Sequence, residues 1–200
     1  FISSKFSVLA LAFFAVPLIM EMEEVLTIWL KDDIPPFTLK LAQYILLLSI
    51  TYQYSVGIMS AIQATGKIRN YQIAMGIILL MNIPIAYAIL KMGYPVYYTT
   101  IAFVILELIA LCVRLIMANR LTGMSVKEYI LNVIQPTMII IAIPMIVAMI
   151  PHFVMSQSFL KLVIVCTIYG LLFAVLMFRF AFDETQREHI KLKIQHFLKR

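Results

Sequence analysis

Glu107 is the most unexpected residue of this 200-residue chain, because it is an acidic side chain in the middle of a long apolar run. A carboxylate at that depth in a membrane costs at least about 2.5–3.5 kcal/mol to insert. Arg114 follows two helical turns later on the same face, and Thr100 continues that face in the other direction. Glu107 is predicted to exchange a proton or line a polar cavity, with a protonated or paired structural acid as the alternative. Arg114 by itself is typical of a basic anchor that snorkels to the membrane boundary.

A second group of polar residues forms a stripe within another apolar run. Its four members recur at steps of four, seven and three, which places them on one helical face: Ser49, Gln53, Ser60 and Gln63. Water cannot satisfy polar groups at membrane depth, so these side chains need partners or a wet cavity. The stripe is equally typical of the wall of an aqueous transport path and of a helix–helix packing face.

Asn82 and Pro84 occur together in a third apolar run. Proline removes a backbone hydrogen bond and usually kinks a helix, so we expect this helix to be interrupted. Broken helices are common in transporters, where freed carbonyls face a cavity, although bent packing without transport gives the same pattern. The residues predicted to line a transport path are therefore Ser49, Gln53, Ser60, Gln63, Asn82, Glu107 and Arg114.

The sequence contains no catalytic, cofactor-binding or metal-binding pattern. His189 and His196 share a helical face without a third ligand, and His152 stands far from both. Gly66-Lys67 lacks the earlier glycine and the Ser or Thr of a phosphate-binding loop, and is typical of a helix end. We therefore predict that the protein is not an enzyme and needs no cofactor or metal.

The elements that must position these residues are transmembrane helices. Hydrophobic residues make up 63% and charged residues 13% of the chain, whereas soluble domains have about 45–50% and about 25%. The net charge of +6 is therefore not interpreted as a nucleic-acid-binding feature. Six runs can cross roughly 30 Å of hydrocarbon as helices: Phe6–Met20, Leu39–Ala64, Tyr71–Leu90, Val96–Ala118, Val133–Phe153 and Phe159–Phe182. Val25–Leu30 is expected to extend the first run or to lie in the interface.

The predicted fold is an all-α integral membrane bundle of six transmembrane helices over residues 1–182. Alternate helix ends are basic, with Lys5, Lys67, Arg69, Arg114, Arg120, Lys127 and Arg179. The opposite ends carry fewer basic residues, Lys31, Lys40, Lys91 and Lys161, and also hold an acidic cluster, Glu21, Glu23, Glu24, Asp32 and Asp33. The positive-inside rule then predicts that both ends of the segment are cytoplasmic.

Residues 183–200 form the remaining segment. Asp183 can cap a helix whose one face carries Ile190, Ile194 and Phe197, with basic residues on much of the rest. This pattern predicts a basic amphipathic helix on the inner leaflet, and a frayed charged tail is the alternative.

Several short stretches, taken together in their order and spacing, resemble those of a known protein family. They are Pro17-Leu18-Ile19-Met20 with Trp29-Leu30, Ala61 to Ile68, Asn82-Ile83-Pro84 with Lys91 to Pro95, and Arg114 to Arg120 leading into Gly123-Met124-Ser125. Over nearly its whole length the chain resembles the C-terminal part of bacterial polysaccharide flippases of the Wzx (O-antigen) type. These belong to the multidrug/oligosaccharidyl-lipid/polysaccharide (MOP, MATE-like) superfamily.

The resemblance implies two helical bundles around a central cavity that work by alternating access. The substrate would be an undecaprenyl-pyrophosphate-linked oligosaccharide, flipped from the cytoplasmic to the periplasmic leaflet of the bacterial inner membrane for lipopolysaccharide synthesis. Coupling to a proton or Na⁺ gradient is expected. We expect this chain to be the C-terminal part of a longer protein, whose N-terminal half would supply the basic cavity wall typical of the family.

Other functions fit the same sequence. A MATE-type cation-coupled exporter of small molecules would have a cavity dominated by carboxylates and aromatic rings. A polytopic polysaccharide-processing enzyme would need His, Asp or Arg in large outer loops, whereas the loops here are short. A non-transporting structural subunit is the remaining alternative.

Overall fold

The computed structural model describes residues 1–31 and 34–181. Within them the helices are α1 (Ile2–Met20), α2 (Met22–Leu30), α3 (Thr38–Gln53), α4 (Val56–Ala64), α5 (Arg69–Lys91), α6 (Tyr97–Thr122), α7 (Val126–Tyr129), α8 (Gln135–Val154) and α9 (Phe159–Phe180), with a π-helical segment, Ile130–Ile134, between α7 and α8. Asp32, Asp33, Phe182 and the predicted tail helix at 183–200 lie outside the described residues.

Six helical segments are long and apolar enough to cross a membrane. The second combines α3 with α4, and the fifth runs from α7 through the π-helical segment into α8. Large apolar side chains such as Ile83, Phe153 and Val154 are exposed on the outside of the bundle. Apolar surface on this scale is favourable in lipid and not in water. The prediction of an all-helical fold with six helices long and apolar enough to span a membrane is confirmed over residues 1–31 and 34–181.

Helices α1 and α6 form the centre of the bundle. Helix α1 packs against α3, α4, α8 and α9, and α6 packs against α3, α4 and α5. Val8, Leu9 and Ala12 of α1 are fully buried, as are Ile140 of α8 and Tyr169 of α9. Helix α5 lies at the edge, with Tyr71 and Met75 as its buried residues.

The second transmembrane segment is broken, which corrects the prediction of one continuous helix over Leu39–Ala64. Helix α3 ends at Gln53 and α4 begins at Val56. The phenol of Tyr129 donates a hydrogen bond to the carbonyl of Tyr54, and the backbone N–H of Gly57 donates to the Ser4 hydroxyl at 3.0 Å. Side chains that insert into a helical backbone ladder in this way kink the helix.

The prolines act differently from expectation. Helix α5 runs without interruption from Arg69 to Lys91 with Pro84 inside it, so the predicted break at Asn82 and Pro84 is wrong. Neighbouring turns of a long transmembrane helix can absorb the missing bond. Helix α1 likewise continues past Pro17 and ends one turn later, before Glu21. A π-helical segment precedes Pro136, whose nitrogen has no hydrogen to donate.

The helix ends carry the expected turn chemistry. Gly66 and Gly123 adopt φ of 69° and 72°, in the left-handed region where a glycine closes a helix without a steric penalty. Ser125 and Ser158 cap α7 and α9, because each hydroxyl accepts the backbone N–H three residues later. These ends keep the connections short, and α8 and α9, joined at Ser158, pack closely against each other.

Candidate functional site

A buried ion pair stands at the centre of the site. The guanidinium of Arg114 donates to the Glu107 carboxylate, and each residue is 4% exposed. The two lie seven positions apart on α6, so they meet on one face of one helix. The pair is neutral as a unit, which lowers the cost of holding charge inside the bundle.

Arg114 also contacts the broken segment. Its guanidinium donates to the Ser55 hydroxyl at 2.8 Å and lies 5.7 Å from the centre of the Tyr52 ring. The prediction that Arg114 snorkels to the membrane boundary is therefore wrong. Long helical side chains lean towards the N-terminal end of their helix, and here that direction leads to Glu107 and not to the boundary.

The ion pair lies in the wall of a cavity of about 420 Å³ between the broken segment, α5 and α6. The wall is mostly apolar but carries several polar side chains, and we call it the polar cavity. Its wall is formed by Leu48, Ser49, Tyr52, Gln53, Met59, Tyr71, Gln72, Met75, Leu79, Phe103, Glu107 and Arg114. Arg114 keeps one buried donor, Nε, without an acceptor within the described residues. The cavity wall thus contains one carboxylate, one guanidinium, two amides, one serine hydroxyl and two phenol groups.

The structure divides the polar stripe in two. Ser49 and Gln53 lie in the cavity wall beside the ion pair, whereas Ser60 and Gln63 are exposed elsewhere on α4. The break at residues 54–55 separates them, because a constant helical periodicity no longer links the two halves. The Ser60 hydroxyl donates a hydrogen bond to the Val56 carbonyl of its own helix at 3.0 Å.

Asn82 is half-buried on α5 and stands outside the cavity wall. It follows Leu79 by three residues, which places it one turn beyond the α5 residues of the wall. Its side-chain carbonyl oxygen is buried without a hydrogen-bond donor among the described residues.

An apolar cavity of about 360 Å³ lies on the other side of the α3–α6 contact. Neighbouring residues of α3 and of the break that follows it face opposite cavities: Ser49 and Gln53 face the polar one, and Ile50 and Tyr54 face the apolar one. Leu108 and Leu111 of α6 also face it. Helices α3 and α6 therefore form a partition between a polar and an apolar compartment.

A second buried charge cluster occupies the junction of α1 and α2. Glu21 is 1% exposed and contacts His152 of α8 at 2.7 Å and Lys161 of α9 at 3.3 Å. Across residues 1–31 and 34–181, no three His, Cys, Asp or Glu side chains come together as a metal site would need.

Comparison of the chain with protein-family models, with curated proteins and with solved structures found no match.

Sequence reasoning missed three parts of the site. The contact between Ser55 and Arg114 joins residues 59 positions apart, although a serine close to a glycine, here Ser55 and Gly57, is a known signal for a kink. Gln72 stands in the first turn of α5, where a polar residue is unremarkable in sequence. The cluster around Glu21 combines residues from three helices, and no local spacing indicates it.

Proposed function

We propose that the chain is part of a membrane transporter that flips undecaprenyl-pyrophosphate-linked oligosaccharides across the bacterial inner membrane by alternating access. The observation that carries the proposal is the polar cavity, with its buried Glu107–Arg114 pair, inside an otherwise apolar bundle. The resemblance to Wzx-type flippases supplies the substrate class.

The physical requirement of flipping agrees with this cavity. An unpaired hydroxyl costs several kcal/mol in an apolar medium, so a sugar chain must cross the membrane along polar groups. Ser49, Gln53 and Gln72 can exchange hydrogen bonds with hydroxyls, and the aromatic faces of Tyr52 and Tyr71 can stack against sugar rings. The prenyl tail can stay in lipid, because a lateral opening between helices is enough for it to follow.

Orientation and location form part of the proposal. Four exposed basic residues lie in or next to the connections at one end of the bundle: Lys67, Arg69, Arg120 and Lys127. The positive-inside rule assigns that end to the cytoplasm. Both ends of the chain are then cytoplasmic, and the Glu21 cluster lies towards the periplasm. A second helical bundle would complete the cavity and supply further basic groups.

Glu107 is the proposed site of coupling to a proton gradient. Protonation would remove its negative charge and release Arg114, which could then contact an anionic pyrophosphate. An Na⁺-coupled cycle would use the same carboxylate as a cation ligand. The exchange of partners at Arg114 would link ion movement to substrate binding.

A cation-coupled exporter of small molecules is the second candidate. Glu107 is the single acid of the cavity wall, and Tyr52, Tyr71 and Phe103 provide aromatic surface. A carboxylate among aromatic rings is suited to a flat organic cation.

The test is complementation in bacteria. The full-length protein is expressed in a strain that lacks its own O-antigen flippase, and in a strain that lacks its main drug exporters. We expect surface polysaccharide to return in the first strain and drug sensitivity to stay unchanged in the second. If drug resistance returns and surface polysaccharide does not, the exporter is the better proposal. If neither returns, both proposals are refuted.

A further inference from the structure

The cluster around Glu21 lies apart from the polar cavity and has a chemistry of its own. Glu21 ends α1 and precedes α2, and its carboxylate is enclosed by the bundle. Nδ1 of His152 lies 2.7 Å from one carboxylate oxygen, and Nζ of Lys161 lies 3.3 Å from the other. None of the three residues lines the cavity that holds Glu107.

The cluster joins the α1–α2 junction to the facing ends of α8 and α9, which also pack against α1. His152 belongs to the last turn of α8, and Lys161 belongs to the first turn of α9. Glu21 is the point where α1 stops and the chain turns into α2. One carboxylate therefore holds the α1–α2 junction against both ends of the α8–α9 connection.

The two contacts of Glu21 differ in kind. The contact to His152 is a hydrogen bond, whereas the oxygen facing Lys161 has no hydrogen-bond donor in suitable geometry among the described residues. Lys161 supplies charge, and His152 supplies the directional bond. The directional contact is also the one that involves a histidine, the side-chain type whose charge commonly changes near neutral pH.

Other ionisable groups surround the cluster without replacing His152. Glu24 lies one turn along α2, buried, with one oxygen that has no donor within the described residues. Lys40 of α3 lies 4.5 Å from the centre of the Tyr97 ring. The His152 side chain is 28% exposed, so protons from solution can reach it.

We propose that Glu21, His152 and Lys161 form a pH-sensitive latch that fastens the α1–α2 junction to the α8–α9 connection. When His152 is neutral, its hydrogen bond to Glu21 joins an uncharged ring to the carboxylate, whose charge Lys161 balances. When His152 is protonated, both partners of that bond are ionised and the bond is stronger. The latch is closed in acid and opens more often as the pH rises.

Distances between spin labels test the latch in the full-length protein in lipid vesicles. The labels are placed at Thr27→Cys on α2 and Gln157→Cys in the α8–α9 connection, both exposed positions. Cys112 and Cys166 are replaced by alanine. We expect one short distance at about pH 5 and a longer one whose population grows about fivefold at about pH 8.

Substitutions assign the change to His152. His152→Gln should show the longer distance at both pH values, and His152→Lys, with its permanent charge, should suppress it at both. Glu23→Gln is the matched control, because this acid is exposed in the first turn of α2, and it should keep the wild-type response. An unchanged wild-type distance between the two pH values would overturn the proposal, as would a full pH response in His152→Gln.

Discussion

The hydroxyl of Tyr129 donates its hydrogen to the main-chain carbonyl of Tyr54, at the residue where the second transmembrane segment stops being a regular helix. Tyr54 in turn pairs its own hydroxyl with that of Thr137 at 3.0 Å. The three residues bring α7 and α8 onto the break between α3 and α4. The break places the Ser55 hydroxyl within hydrogen-bonding distance of Arg114, and Gln53 faces the polar cavity.

Tyr129→Phe should therefore disturb the cavity as well as the stability of the fold. The substitution leaves a buried carbonyl without its donor, which costs about 1–3 kcal/mol of the free energy of unfolding. Tyr169→Phe is the matched control, because the Tyr169 hydroxyl donates to the Ala12 carbonyl on the unbroken α1. Both variants should unfold more easily in detergent. Only Tyr129→Phe should alter the labelling rate of a cysteine placed at Gln53, and equal rates in the two variants would contradict the assigned role.

Arg114→Gln should destabilise the bundle by about 3–5 kcal/mol, because it leaves Glu107 buried without its partner. The double variant Glu107→Gln/Arg114→Gln should lose less than Arg114→Gln alone, since two neutral amides replace an uncompensated charge. Chemical unfolding in detergent measures the free energy of unfolding of both variants, and Arg120→Gln, at an exposed position, is the control. If Arg114→Gln costs no more than Arg120→Gln, the pair does not stabilise the fold.

Glu107→Gln should impair transport and leave membrane insertion intact. The amide keeps the size of the carboxyl group but cannot exchange a proton, so we expect surface polysaccharide to fall at least about tenfold in the complementation assay. Glu128→Gln is the control: it removes an exposed acid of the short helix α7, outside the cavity wall, and should have no effect. Normal surface polysaccharide in Glu107→Gln would remove this carboxylate from the mechanism.

Cysteines at Ser49 and Gln53 should react with a charged, water-soluble thiol reagent in a protein whose two native cysteines are replaced. Both positions lie in the wall of the polar cavity. Cysteine at Ile50, the next residue, should stay unreactive because it faces the apolar cavity. We expect rates at least about tenfold apart, as water and ions avoid apolar voids. Protection at all three positions would favour simple helix packing for the stripe.

Gly57→Ala should destabilise the protein, whereas Gly76→Ala should not. A Cβ atom at Gly57 would lie 2.5 Å from the Ser4 hydroxyl oxygen and 3.1 Å from the Ser4 nitrogen, and at Gly76 it would meet nothing within 4 Å. Overpacking of this kind costs about 1–3 kcal/mol, and alanine in an open helical position gains about 0.5–1 kcal/mol. The midpoint of unfolding in detergent compares them, and equal midpoints would mean that α1 and α4 are not in close contact.

The six spans could be predicted because hydrocarbon thickness imposes a run length that is visible in the sequence. The pairing of Glu107 with Arg114 also follows from helical periodicity within one segment. The α3–α4 break could not be predicted in the same way, because Tyr129 and Ser4 lie 75 and 53 residues from the backbone groups that they bind. Ser60 and Gln63 were misplaced for the same reason, since their position depends on that break.

Placing Glu107 and Arg114 on one helix has a mechanical consequence. If α6 slides or rotates like a piston against its neighbours, the acid and the base travel together and no bare ion enters hydrocarbon. Such a movement must break the hydrogen bond from Arg114 to Ser55, which is worth about 1.5–3 kcal/mol, and must also repack α6 against α3, α4 and α5. Ser55 is therefore the polar partner that the neutral pair leaves behind when α6 moves.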